Sequence, residues 1–308
     1  MSKINQIFKL FLVVCLLSAT SCDNELTEIN QNPNGVDPSQ GNPSFLLTQV
    51  MVNTALDVGS KGYSGELSAF VQYTQKDSWG NNNYDWDGSG WNTYYGNLRS
   101  AKLALQRSQE LGYTLHEAIA QILMAQNFVT LADYYGDVPY SNAVQADEDV
   151  ILPTYDSQEA VYKGAIADFV AAAASISNNM GNLEAFGASQ DIFFGGDAEK
   201  WMKYANSLAL RYYMRLSEKD PSYAQAGVTA TLAKPLISSV DEECALAYIG
   251  TSDGTAQPSN SSTGGASAFN RVKPCTTFTD RLRELDDPRA SVWFAPVAIP
   301  IADNGLKI

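Results

Sequence analysis

The chain has 308 residues, of which 45% are hydrophobic and 18% charged, and its 34 acidic against 20 basic side chains give a net charge of −14. Such an acidic chain repels phosphate backbones and anionic lipid, because binding to either depends on Lys and Arg. Nucleic-acid binding is therefore excluded, broad adhesion to an anionic membrane is disfavoured, and the length allows one large domain or two modest ones.

The N-terminus has the order of an export signal. The first ten residues carry Lys3 and Lys9, residues 7–17 form a run that is nearly all apolar, and small residues follow. The run is shorter than the roughly 20 residues that a helix needs to span a bilayer. We therefore predict that residues 1–21 are a signal peptide, which is removed from the mature protein.

A cysteine stands directly after this segment. Residues 19–22, "ATSC", are similar to a lipobox, in which the cysteine becomes the lipid-modified first residue of a bacterial lipoprotein. We predict that Cys22 is lipidated, with an acyl chain such as palmitate, and that this anchor is the protein's link to the membrane. The alternative is that Cys22 forms half of a disulfide.

The character of the sequence changes from a tether to a folded domain after residue 43. Residues 22–43 are rich in Asn, Pro, Gly and acidic residues and show no apolar period, which predicts a flexible tether. Residues 44–308 are predicted to be the folded domain. It opens with a helix whose apolar face carries Leu47, Val50, Met51, Thr54 and Val58. A second helix is predicted over residues 65–76.

Longer helical patterns follow. One runs over residues 91–111 and ends at Gly112, and the next runs from Thr114 to Tyr135, with Glu117 completing a capping box at its start. A further helix is predicted over residues 157–178. The strongest pattern begins at a capping Asp197, is stopped near Pro221, and has a stripe of Trp201, Tyr204, Ala205, Leu208, Ala209, Tyr212 and Leu216.

Strand signals are few and confined to residues 245–249 and 291–299, while residues 250–268 are a Gly- and Ser-rich stretch that predicts a surface loop. Helices of about twenty residues joined by short turns indicate stacked helical hairpins, as in tetratricopeptide arrays. We therefore predict a mainly α fold with long loops.

Few residues offer catalytic chemistry. His116 is the only histidine and is predicted to be an ordinary exposed residue in the first turn of its helix, so a zinc site of several histidines is excluded. Cys244 and Cys275 either pair, as exported cysteines often do, or stay as free thiols. Acidic clusters are interpreted as solvated loops: residues 85–87, 147–149 and 241–243. We predict no catalytic residue, no metal and no cofactor.

The loop "WGNNNYDWDGSGW", residues 79–91, offers binding chemistry instead. Flat aromatic faces beside amides and carboxylates are what a groove for a sugar or a peptide needs. The predicted ligand-binding residues are Trp79, Asn81, Asn83, Tyr84, Asp85 and Trp86, while Trp91 is expected to start a helix and pack in the core. A calcium loop beginning at Asn83 is the alternative, but Tyr94 stands where that loop requires a glutamate.

Several stretches together resemble the SusD/RagB-type nutrient-binding outer-membrane lipoproteins of Bacteroidetes. They stand in that family's order along the chain: "SCDNELTEINQNPNG" at 21–35, "LADYYGDVPYSNAV" at 131–144, "PTYDSQEAVY" at 153–162, "GGDAEKWMKYANSLALRYYMRLS" at 195–217 and "DDPR" at 286–289. The resemblance implies a SusD-like fold with tetratricopeptide-like hairpins, in which Trp201 and Tyr204 are packing positions. Members of the family continue well beyond the last stretch, so we expect this chain to be truncated at its C-terminus.

The resemblance also implies a role without bond breakage. Such a protein is anchored by lipid to the outer membrane, captures oligosaccharides or peptides, and delivers them to a partner TonB-dependent, SusC-like transporter. Asp23 and Glu25, just after the lipidated cysteine, resemble a signal for display at the cell surface. Two alternatives stay open: a helical glycoside hydrolase that uses paired Asp and Glu, and a structural lipoprotein without a ligand.

Overall fold

Long helices build the part of the chain that the computed structural model describes, which is residues 40–63, 66–76, 91–248 and 272–294. In chain order the helices are α1 (Pro43–Tyr63), α2 (Glu66–Phe70), α3 (Asn92–Leu111), α4 (Thr114–Tyr135), α5 (Gln158–Asn179), α6 (Ala198–Arg215), α7 (Pro221–Leu232), α8 (Thr276–Glu284) and α9 (Arg289–Trp293). Contacts divide the chain into two units, Met1–Gly41 and Asn42–Ile308, and all these helices belong to the second.

Two short antiparallel ladders accompany the helices. Strand β1 (Thr74–Lys76) pairs with β4 (Val272–Pro274), and β2 (Val138–Pro139) pairs with β3 (Tyr155–Asp156). The second ladder closes the connection between α4 and α5, so it fixes the course of residues 140–154 between its two strands. The mainly helical fold predicted from the sequence is confirmed.

Several predicted helix ends are confirmed by their cap geometry. Asp197 accepts hydrogen bonds from the backbone N–H groups of Glu199 and Lys200, at 2.9 and 3.1 Å, and so satisfies two otherwise unpaired donors at the start of α6. Gly112 ends α3 with a φ of 69°, and Gly136 follows α4 with a φ of 76°. Both glycines have a positive φ, a backbone conformation that favours glycine, and Gly112 adopts the left-handed cap.

Consecutive helices pair as hairpins and stack side by side. Helix α1 packs on α3, α4 on α5, and α6 on α7, while α4 also contacts α1 and α6. The first helices of these pairs, α1, α4 and α6, therefore share one face of the array, and α3, α5 and α7 share the other. Stacked hairpins of this kind present an extended concave surface.

The core lies between these two faces. Apolar residues along one side of α4 and of α5 are buried, including Ile119, Ile122 and Phe169, and so is the whole predicted stripe of α6. Helix α5 is long and apolar enough to cross a membrane, yet its apolar residues pack between α4 and α6. Its composition is thus explained by its central place in the array.

The structure corrects several local predictions. The helix predicted over residues 65–76 ends at Phe70, because Gln72 adopts a φ of 56° and the next residues pair with β4. The capping box at Thr114 is wrong: Thr114 already lies inside α4, and Glu117 accepts a hydrogen bond from Gln109 of α3 at 3.0 Å.

Other corrections concern the C-terminal part and the end of α1. Of the strand predicted over residues 245–249, residues 245–248 form none, and of the strand predicted over 291–299, residues 291–293 belong to α9; residues 249 and 295–299 lie outside the described residues. Val58 is 54% exposed although it continues the apolar period of α1. Helix α6 ends at Arg215, and Pro221 is the first residue of α7, where proline's missing N–H costs nothing. The Gly- and Ser-rich stretch at 250–268 lies outside the described residues.

Candidate functional site

The shared face of α1, α4 and α6 carries a groove of about 1400 Å³, which we call the concave groove. Residues 237–248 form a further wall beside α6. Pockets for drug-sized ligands have volumes of about 300–1,000 Å³. The concave groove is larger than that range, so it has room for an extended ligand.

Aromatic and polar side chains line the groove together. Tyr134, Tyr212 and Tyr248 contribute phenol rings, and Tyr248 is 41% exposed. Arg211 projects from α6 with its guanidinium 5.9 Å from the ring of Tyr212, and it forms no ion pair with any described residue. Asn53 adds an amide from α1. The groove thus offers flat apolar faces beside hydrogen-bonding groups.

One wall of the groove is a charged cluster that joins three helices. Asp133 of α4 accepts hydrogen bonds from Tyr162 of α5 and from the guanidinium of Arg215 of α6. Burial alone would lower the pKa of Arg215, but its bond to Asp133 outweighs this effect and raises the pKa. Burial raises the pKa of Tyr212 to about 12, with the charge of Asp133 adding to the effect. The cluster therefore presents neutral phenols and a fixed ion pair at neutral pH.

Tyrosines on α3, α4 and α6 hold another part of the groove lining. The hydroxyl of Tyr94 donates to Asp57 at the C-terminal part of α1, and burial raises the pKa of both Tyr94 and Tyr134. The hydroxyl of Tyr204 donates to Gln126 at 2.8 Å. These bonds orient the phenol rings and the Asp57 carboxylate, so the groove surface is fixed before a ligand arrives.

Buried amides fix the helices beneath the groove. Asn97 of α3 donates to Thr54 of α1 at 3.1 Å and to Asn127 of α4 at 3.3 Å, while Asn127 itself donates to Thr54 at 3.1 Å. All three side chains are buried, at 4–6% exposure. Because a buried polar network is favourable only when its groups are paired, it specifies how α1, α3 and α4 pack.

The wall formed by residues 237–248 is attached to α6 by an ion pair. Lys203 lies 2.6 Å from Glu242, whose other carboxylate oxygen accepts a hydrogen bond from the backbone of Ser238 at 2.8 Å. The bond to Lys203, with that to Ser238, lowers the pKa of Glu242 from 4.5 to about 2. The neighbouring Cys244 lies against Tyr204, and burial raises the pKa of this thiol to about 12.

This ion pair predicts a pH dependence. Since the pKa of Glu242 is lower in the folded state than in the unfolded chain, its stabilisation is complete above about pH 4.5 and is lost as the pH falls towards 2. We expect Glu242→Gln to lose less unfolding free energy than the wild type between about pH 6 and about pH 3, measured by urea denaturation. Glu243→Gln, at an exposed neighbour, should follow the wild type; equal losses in all three proteins would contradict the assignment.

The comparisons with known proteins decide the family. The model of a SusD-like family, described as starch-binding and associating with the outer membrane, matches residues 34–304. The chain belongs to this SusD-like family. No curated protein matches it significantly.

Solved structures share the fold of this SusD-like chain. A SusD homologue from Bacteroides fragilis is 24% identical with a TM-score of 0.67, over 82% of this chain and 52% of its own. A chitin-binding protein is 25% identical with a TM-score of 0.64, over 80% and 54%. A SusD-like protein of the Bacteroidetes is 27% identical with a TM-score of 0.63, over 83% and 50%. The chain thus spans about half the length of these structures.

The residues predicted to bind ligand and lipid lie outside the described residues, namely Cys22, Trp79, Asn81, Asn83, Tyr84, Asp85 and Trp86. The chain that follows the predicted loop enters the described part at Trp91, and Thr93 lines the concave groove. Trp91 is partly buried and packs edge-on against Tyr95 and Tyr135 at the edge of the core, as predicted.

His116 differs from its prediction. It is 1% exposed, with its Nδ1 2.7 Å from Glu184 and its Nε2 2.9 Å from Ser44. The imidazole is buried because it joins the start of α4 to α1 and to the segment before α6. It is not among the residues that line the concave groove, and its contacts are those of a packing residue in this SusD-like chain.

The cysteines and the acidic clusters of the described residues offer no further site. Cys244 and Cys275 are free thiols. The acidic residues of the clusters at 147–149 and 241–243 are exposed apart from Glu242. In the described residues no group of three or more His, Cys, Asp or Glu side chains could hold a metal ion.

The sequence prediction missed the groove itself. Its residues come from α1, α4 and α6 and meet only after the hairpins stack. One signal was present: "ALRYYMR" places Arg211 and Arg215 four residues apart on α6, with tyrosines between them, in a chain with few basic residues. Two cationic side chains on one helix face beside aromatic rings indicate a surface suited to ligand binding.

Proposed function

We propose that this SusD-like chain is a cell-surface nutrient-binding protein that captures oligosaccharides, or peptides, in the concave groove and breaks no bond in them. The observation that carries the proposal is the groove, where tyrosine rings lie beside Arg211 and Asn53 in a volume of about 1400 Å³. Sugar rings have apolar faces that stack on aromatic rings and hydroxyl groups that bond to amides and guanidinium groups. Membership of a starch-binding family supports a glycan ligand.

The similarity to a chitin-binding structure gives a first ligand to test. Calorimetric titration of soluble protein, starting after Cys22, with starch, chitin and other oligosaccharides and with peptides should identify one class that binds. Release of reducing sugar from the bound oligosaccharide would contradict a binding role and favour a hydrolase. Failure of every ligand in the panel would favour a structural role.

We propose that the loop at residues 79–91 completes the groove. The support is the position of Thr93, two residues beyond the loop, in the groove lining. A Tyr84→Ala, Trp86→Ala double variant should bind the best ligand about thirtyfold more weakly, because each of the two lost stacking contacts removes about 1 kcal/mol. Unchanged affinity, with unchanged thermal stability, would remove the loop from the binding site.

The position at the membrane follows from the N-terminal prediction. We propose that residues 1–21 are removed, that Cys22 is lipidated, and that residues 22–43 tether the domain 44–308 at the outer surface of the outer membrane. There the protein would deliver its ligand to a TonB-dependent, SusC-like transporter. Cys22→Ala should move the protein from the membrane fraction to the soluble fraction; continued membrane fractionation would show that lipid on Cys22 is not the anchor.

A further inference from the structure

A second cavity lies on the opposite face of α4. It has a volume of about 390 Å³ and is lined by α3, α4, α5 and residues 140–145; we call it the outer pocket. At 3.6 residues per turn, the residues of α4 that line it share one face, namely Glu117, Gln121, Met124 and Phe128. Three of the four residues of α4 that line the concave groove lie about half a turn away, namely Gln126, Thr130 and Asp133, and the fourth, Tyr134, lies about a third of a turn away. The two cavities share no lining residue.

The outer pocket combines an apolar floor with an incompletely paired carboxylate. Leu105 and Met124 supply apolar surface. Asp168 accepts a hydrogen bond from the amide of Gln121 at 3.0 Å, and among the described residues the one hydrogen-bond partner of its other oxygen is the hydroxyl of Tyr140, at 3.5 Å. No Lys, Arg or His of the described chain forms an ion pair with Asp168. Burial raises the pKa of Asp168, against the opposing effect of the bonds from Gln121 and Tyr140.

The rim of the pocket is held in place by specific contacts. The backbone N–H groups of Tyr140 and Ser141 donate to Asp156 at 3.0 and 2.8 Å. The ring of Tyr140 then lies over Gly164, where any Cβ would overlap it. The position of the phenol beside Asp168 therefore depends on a residue without a side chain.

Backbone strain occurs at the same rim. Val144 has a φ of 51°, a conformation that is costly for a β-branched residue, and its carbonyl accepts a hydrogen bond from Lys102 at 3.0 Å. Strain that the surrounding structure maintains is concentrated at ligand sites. The outer pocket therefore combines a cavity, a carboxylate that can accept a further hydrogen bond at Asp168, and a strained backbone at Val144.

We propose that the outer pocket is a second ligand site, which binds one neutral sugar ring. The hydroxyl groups of the ring would donate hydrogen bonds to the oxygens of Asp168 and Gln121. The apolar face of the ring would lie on the floor formed by Leu105 and Met124. The volume is at the lower end of ligand pockets and suits a single ring, whereas the concave groove suits a longer ligand. The proposal is independent of binding in the concave groove.

The test uses free monosaccharides with the soluble protein. Calorimetric titration with glucose, galactose and N-acetylglucosamine should find one that binds, and a crystal soaked with it should show the ring in the outer pocket. Asp168→Asn should weaken this binding at least about tenfold, because hydrogen bonds to a charged acceptor are stronger than those to an amide. Arg211→Ala, in the concave groove, should leave it unchanged.

Three results would overturn the proposal. They are the absence of binding by all three neutral monosaccharides at tens of millimolar, undiminished binding by Asp168→Asn, and binding of protonated glucosamine alone, which would indicate recognition of a cation. Gln121→Leu provides a second variant if Asp168→Asn does not fold, and it too should weaken binding. Loss of oligosaccharide binding in Arg211→Ala with intact monosaccharide binding would separate this site from the concave groove.

Discussion

Asp191→Ala is expected to lower the free energy of unfolding by about 3–5 kcal/mol, because each buried donor left unpaired costs about 1–3 kcal/mol. Asp191 is 1% exposed. Its carboxylate accepts hydrogen bonds from the indole of Trp201 and the backbone of Gly196, both at 2.8 Å, and from the backbones of Phe193 and Phe194, at 3.2 and 3.1 Å. Without it these donors stay buried and unpaired at the start of α6.

Two controls separate this network from ordinary capping. Asp197→Ala removes only the N-cap of the same helix and should cost about 1 kcal/mol. Trp201→Phe keeps most of the buried ring but removes the indole donor, so its cost should lie between the other two. Urea denaturation provides the free energies; an Asp191→Ala variant no less stable than Asp197→Ala would show that the carboxylate does not organise this segment.

Arg211→Ala and Tyr248→Ala are expected to have the largest effects on ligand affinity. Arg211 is exposed in the groove lining and has no ion-pair partner among the described residues, so its donors are available to a ligand. A hydrogen bond to a charged group contributes about 1.5–3 kcal/mol. The loss of Arg211 should therefore weaken binding at least about tenfold.

Tyr248 acts by a different contact, since its ring is 41% exposed on the wall formed by residues 237–248. We expect Tyr248→Ala to weaken binding about tenfold, and the double variant about a hundredfold, because sites without shared partners contribute additively. Phe45→Ala is the matched control: Phe45 is 62% exposed on α1 but does not line the groove. Equal losses in the control and in the groove variants would contradict the site.

The sequence predicts the long helices well because their signals are local. The stripe of α6, its Asp197 cap, and the glycines after α3 and α4 are all read within a few turns of the chain. Each signal involves residues whose contacts lie in the same helix or its neighbour. The stacking of hairpins was predicted from helix length and short turns, but of the helices in the array only α3–α4 and α6–α7 are joined by short connections, whereas residues 136–157 separate α4 from α5 and residues 180–197 separate α5 from α6.

Features that depend on residues far apart in the sequence could not be predicted from local patterns. Strand β1 pairs with β4 about two hundred residues later, so residues 74–76 were predicted as helix. His116 looks like a surface residue until Ser44 and Glu184 enclose it. The concave groove likewise arises only where α1, α4 and α6 meet, and no local pattern marks its residues together.

The central claim is that the concave groove holds the nutrient. A crystal structure of the soluble protein with the oligosaccharide or peptide that binds best in the titration tests it most directly. We expect the ligand to lie along α4 and α6, in contact with Tyr134, Arg211 and Tyr248. A ligand bound with high occupancy elsewhere on the molecule, with only solvent in the concave groove, would contradict the account.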